Sequence, residues 1–145
     1  MSVEINTEIL INANPEEVWQ TLTNFSNYPK WNPFITLLTG DVNVGNKITV
    51  RIEPPGASVN TFKPKVLTFV PNKEISWLGQ LLFSGIFDGH HKLQLADNKN
   101  GTTTFKQGEK FTGVLVPLFK KQLEVNTKNG FHAMNQKLKK IVENK

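Results

Sequence analysis

The chain has no cysteine, which removes disulfides, thiolate nucleophiles and cysteine-ligated metals together. Arginine is almost as scarce: the net charge of +5 comes from 16 lysines and one arginine, Arg51, and the lysines are spread along the chain. Recognition of phosphates and bases leans on clustered arginine with aromatic platforms, so no nucleic-acid partner is expected. No run is apolar enough to span a bilayer, which argues against integral membrane insertion. Glu4 and Glu8 interrupt the N-terminus where an export signal would need a basic start and an unbroken apolar stretch. The expectation is a cytoplasmic protein, monomeric or homodimeric, stabilised by packing alone. With 145 residues, 38% of them hydrophobic and 20% charged, it is expected to form one domain, residues 1–145.

What is present is clear periodicity. Val3, Ile5, Thr7, Ile9 and Ile11 alternate with Glu4, Asn6 and Glu8, the mark of a strand with one buried face. Asn14 is a good helix N-cap, Pro15 suits the first helical position and Glu17 can complete a capping box, so a helix should follow at once, with Val18, Trp19, Leu22 and Phe25 on its apolar side. Asn24 to Pro33 reads as a second short helical piece or structured turn. Strand candidates follow at 34–42, 47–53, 62–70, 74–79, 87–95 and 103–111, separated by breaks such as Pro54-Pro55-Gly56 and Pro71-Asn72. Their short connections favour antiparallel pairing.

From Pro117 nearly to the end, Phe119, Leu123, Phe131, Met134, Leu138 and Ile141 recur at helical spacing, predicting one long amphipathic helix. The fold class expected is α+β: a curved antiparallel sheet of about seven strands wrapped around a long C-terminal helix, with two short helices after the first strand.

The last strand puts Gln107 and Glu109 in the same alternation class as Phe105 and Phe111, so polar groups point toward the side that the helix covers. By the same period Phe87, Gly89, His91, Leu93 and Leu95 share a face of the strand before it. His91 and Glu109 can therefore approach each other. A buried carboxylate must be paired, with His91 or Arg51 as candidates, or protonated. His91, Gln107 and Glu109 are candidates to orient the polar end of a ligand, or to act on it as acid and base, against the alternative of an internal hydrogen-bond network. Trp31, Phe34 and Trp77 are candidate cavity walls. On the helix, Thr127, Gly130, Phe131 and Met134 are placed over the cavity, Gly130 signalling a bend or close approach. Gly79–Phe87, with Leu81, Leu82 and Phe83 between glycines, is a candidate lid or partner contact, against the alternative of a strand extension or packing on the N-terminal helices. Metal binding is not expected, since His90 and His91 point to opposite faces of a strand.

Val18–Phe25, Tyr28–Phe34, Phe87–His91, Phe105–Phe111 and Gly130–Asn135 together resemble the START-like helix-grip superfamily, and within it the bacterial SRPBCC or polyketide cyclase/dehydrase-like proteins. The resemblance covers nearly the whole chain and is specific for fold. It implies a deep apolar cavity between sheet and helix that holds a small hydrophobic, lipid-like or polyketide-like ligand, with no cofactor. It also leaves open a cyclase or dehydratase using Glu109 and His91, and a protein-interaction module like the chaperone regulators of that superfamily.

Overall fold

A computed structural model describes residues 2–81 and 83–145. The first strand, β1 (Ser2–Ile11), buries Val3, Ile5, Thr7 and Ile11, half-buries Ile9 and exposes the residues that alternate with them. Asn14 then caps helix α1 (Pro15–Leu22), its side-chain oxygen accepting from the Glu17 amide at 2.9 Å. A 3-10 turn (Phe25–Asn27) and the short helix α2 (Tyr28–Trp31) follow. The Tyr28 hydroxyl, fully buried, donates to the Leu22 carbonyl and so ties α2 back to the end of α1.

Seven further strands run antiparallel: β2 (Ile35–Thr39), β3 (Thr49–Ile52), β4 (Asn60–Phe62), β5 (Lys65–Val70), β6 (Glu74–Gln80), β7 (Asp88–Asp97) and β8 (Thr103–Thr112). The expected strand over 62–70 is divided. Pro64 has no N–H to donate to a ladder, and the chain turns there between β4 and β5. The strands consequently fall into a main sheet of order β1-β8-β7-β6-β5 and a small sheet β2-β3-β4. Between them run the bonds Gly45 N–H to Val66 O, Val66 N–H to Asn46 O and Ile48 N–H to Pro64 O.

The C-terminal helix crosses the inner face of the main sheet. It is α-helical over α3 (Val116–Gln122), widens into a π turn at Leu123–Thr127, and resumes as α4 (Lys128–Glu143). The π turn departs from the uninterrupted helix expected. It lies beside the Pro54–Gly56 loop, where the Asn126 amide donates to the Pro55 carbonyl. Beyond it the buried stripe is Phe131, Met134, Asn135, Leu138 and Val142, so Val142 takes the inward place that spacing assigned to Ile141.

Gly130 marks a close approach. A Cβ there would run into the ring of Phe34, which packs edge-on to Phe131 with centroids 5.3 Å apart. Alanine normally favours a helix by about 1 kcal/mol over glycine, but forcing a methyl into a packed aromatic costs about 1–3 kcal/mol. Gly130→Ala is therefore expected to destabilise the protein by up to about 2 kcal/mol in a urea titration, and not to stabilise it as an alanine in a free helix would. A stabilised variant would show that Phe34 yields freely.

Candidate ligand site

The site is built where the alternation of two neighbouring strands brings polar groups inward. The register pairs His91 with Glu109 across β7 and β8, and Trp77 of β6 with His91. On the other side Ile5 and Thr7 of β1 lie opposite Glu109 and Gln107. Glu109 is paired with His91 rather than with Arg51: its Oε1 lies 3.2 Å from His91 Nδ1. Arg51 instead faces Glu53 at 3.7 Å and donates to the Thr36 hydroxyl.

From His91 a chain of side-chain hydrogen bonds runs into the core. His91 Nε2 meets Gln107 Oε1 at 2.9 Å, Gln107 Nε2 donates to Asn135 Oδ1 at 2.8 Å, and Asn135 Nδ2 donates to the Thr7 hydroxyl at 2.9 Å. Thr7 in turn donates to the Gln107 carbonyl at 2.8 Å. All of these side chains but Glu109 are buried, and Glu109 is only 13% exposed. The His91 ring is boxed by aromatics, stacked on Trp77 with centroids 5.0 Å apart and 29° between planes, and tilted against Phe131 at 5.0 Å.

The Glu109–His91 pair forms the inner end of a cavity of about 340 Å³ between the two sheets and the start of the C-terminal helix. Phe34, Phe87, His91, Glu109 and Thr127 of the candidates line it. Phe34 is launched into place by Asn32, whose side-chain oxygen accepts from the Phe34 and Ile35 amides. Phe105, Gln107, Trp77, Gly130, Phe131 and Met134 lie behind the wall as buried support, and Trp31 packs edge-on against Tyr28 away from the cavity.

The rest of the wall comes from residues that sequence reasoning did not assign to it. Ile52 and Phe62 belong to the small sheet, Phe111 to β8, and Phe119 and Leu123 to the helix. Gly89 is the least conspicuous. A Cβ there would strike Glu109 Oε2, so the bare glycine makes room for the carboxylate. It stands opposite Phe111, two pairs along from His91 and Glu109 and on the same face. Asn135 had a signal, a polar residue four positions after Phe131 in an otherwise apolar stripe.

Of the candidate lid, Leu81 borders the cavity and Phe83 is 73% exposed; Leu82 lies outside the described residues. The end of this segment is fastened, because the Gly85 and Ile86 carbonyls accept from the amides of Val114 and Leu115. Among the described residues, no group of three metal-ligating side chains is placed to hold an ion, and no helix is long and apolar enough to cross a membrane.

The sequence profile of a family described as polyketide cyclase/dehydrase and lipid transport matches residues 2–143. No protein of curated function matches. Among solved structures, an aromatase/cyclase from Streptomyces is 13% identical, with a TM-score of 0.78 over 99% of this chain and 94% of that one. Norcoclaurine synthase from Thalictrum flavum is 14% identical, with a TM-score of 0.74 over 98% and 94%. A START superfamily protein from Mycobacterium smegmatis is 15% identical, with a TM-score of 0.70 over 95% and 98%. At such identities the likeness is one of fold.

Two outcomes follow from the polar groups. Asn135→Ala strands the Gln107 amide and removes the donor to Thr7 inside the core, so a loss of about 2–4 kcal/mol is expected by denaturant titration. A loss below about 1 kcal/mol would mean that the chain of hydrogen bonds does not anchor the helix. On the opposite face of β7, burial holds His90 below the ordinary histidine range, with Lys92 pushing the same way and Glu74 and Glu109 opposing. The unfolded chain therefore takes up this proton first. Stability is full above about pH 6.5 and declines as the pH falls through that value toward the lowered one of the folded state. His90→Gln is expected to flatten that part of a stability-against-pH curve, and an unchanged slope would contradict it.

Proposed function

Because the chain belongs to the polyketide cyclase/dehydrase and lipid transport family, we propose that it binds one small, largely apolar molecule between sheet and helix, with Glu109 meeting its polar end and His91 holding Glu109 in place. The placement of a single acid–imidazole pair at the inner end of an otherwise mainly aromatic and aliphatic cavity supports this. At about 340 Å³ the cavity stands at the low end of the roughly 300–1,000 Å³ usual for small-molecule sites. That size suits a compact ring system better than a two-chain lipid. Phe87, with its ring centroid 5.8 Å from that of Phe111 and 5.7 Å from that of Phe119, supplies with them flat surface for such rings.

A second reading rests on the same pair. A carboxylate 3.2 Å from an imidazole nitrogen, at the end of a ligand cavity, is the geometry of a proton-transfer couple, and would serve a cyclisation or dehydration of the bound molecule. Turnover abolished in Glu109→Gln with binding retained would favour the enzyme.

The binding reading is tested with the cavity filled from within. Leu123 lines the cavity from the π turn, and Leu123→Trp is expected to weaken binding of a fused-ring aromatic such as naphthalene by at least about tenfold in an NMR titration. In the unsubstituted protein the amides of Gly89, Phe111 and Leu123 should shift, whereas those of Leu95 and Val142 should not. Shifts that ignore the cavity residues would sink the proposal.

A further inference from the structure

We propose that the site selects neutral hydrogen-bond donors, a phenol, enol or alcohol on an apolar body, and turns away carboxylates; this rests on the ligand-binding reading above. The selection comes from the direction in which the buried hydrogen bonds run. A main-chain carbonyl only accepts, so the Thr7 hydroxyl spends its proton on the Gln107 carbonyl and its oxygen must accept from the Asn135 amide nitrogen. Asn135 then presents its oxygen to Gln107, which must donate. Gln107 in turn presents its oxygen to His91, so His91 Nε2 carries a hydrogen. One carbonyl thus sets the orientation of every group back to the imidazole.

His91 Nδ1 is left facing Glu109 Oε1 at 3.2 Å. A bare imidazole nitrogen and a carboxylate oxygen would oppose lone pairs at that distance, so one proton sits between them, on the ring or on the acid. The pair is neutral as a unit in either form. Both ring nitrogens are thereby occupied and the ring faces are covered by Trp77 and Phe131. What remains for a ligand is Glu109 Oε2 in the space above Gly89, and whichever way the proton lies, that oxygen accepts.

A ligand hydroxyl satisfies it, while a ligand carboxylate sets lone pairs against it. Nor is there a compensating cation. Despite 16 lysines in the chain, no lysine or arginine among the described residues lines the cavity. The other polar residues around it, such as Asn60, Gln80 and Gln122, are uncharged. A desolvated anion without an opposite charge is strongly disfavoured.

The test compares three probes of one shape at pH 7: 2-naphthol, naphthalene and 2-naphthoate, by calorimetry or NMR titration. Naphthol is expected to bind at least about tenfold tighter than naphthoate, the factor of one hydrogen bond to an ionised acceptor. Glu109→Leu, which removes the accepting oxygen, is expected to cost naphthol about threefold or more in affinity and to leave naphthalene within about twofold. Naphthoate bound as tightly as naphthol would overturn this inference and leave the cavity reading intact. Failure of all three to bind would overturn both. Nitrogen-15 spectra of the imidazoles provide a measurement that needs no variant: His91 should show a protonated Nε2 in the unliganded protein, and a bare Nε2 would refute the direction of the network.

Discussion

The long helix is held in one position on the sheet by a polar clasp, Thr7 with Gln107 and Asn135, and the ligand site depends on that clasp. Apolar packing alone would tolerate small slides and rotations of a helix over a sheet, since methyl groups and rings have no preferred partner. Hydrogen bonds inside a core do have one. Asn135 on the helix reaches Thr7 on the first strand and Gln107 on the last, elements separated by most of the chain. Because the interior offers these groups no water, breaking one bond leaves a donor or acceptor stranded, and the helix is fixed both along and around its axis.

With the helix so fixed, the cavity is a consequence of where packing is complete and where it is not. Behind His91 the space is closed by Trp77, Phe131 and Met134, all of them fully or almost fully buried. Ahead of it, the helix changes to a π turn and the small sheet diverges from the main one, so the side chains no longer meet. Glycines at two positions tune this boundary. Gly130 lets Phe34 lie against the helix, and Gly89 lets the Glu109 carboxylate sit over the β7 backbone. A methyl group at either would trade cavity for contact.

Much of this architecture is readable from local signals. Alternation in β1, β7 and β8, the Asn14-Pro15 cap and the helical stripe of the C-terminus each arise from nearest neighbours, and the inward orientation of His91, Gln107 and Glu109 follows from them once β7 and β8 pair. The rest depends on contacts distant in sequence. Pro64 divides a strand whose apolar pattern continues through it, and nothing local shows that Phe62 and Ile52 will face Phe119 across open space. The π turn is invisible to periodicity for a related reason: Leu123 and Thr127 are four apart and fit an α-helix equally well. Gly89 looks like a blemish in a strand until its neighbour Glu109 is in view.

Among the described residues the two sheets are joined by a narrow seam, the main-chain bonds of Gly45, Val66 and Ile48 around the break at Pro64. One wall of the cavity, with Ile52, Thr61 and Phe62, hangs from it, while the opposite wall is part of a five-stranded ladder. Structures open first where the fewest bonds must be broken together. On the proposed reading the chamber is in this sense a box with one lightly fastened panel: its floor would choose the chemical group, and the side with fewer bonds would be the one to yield to the outline of the molecule that carries it.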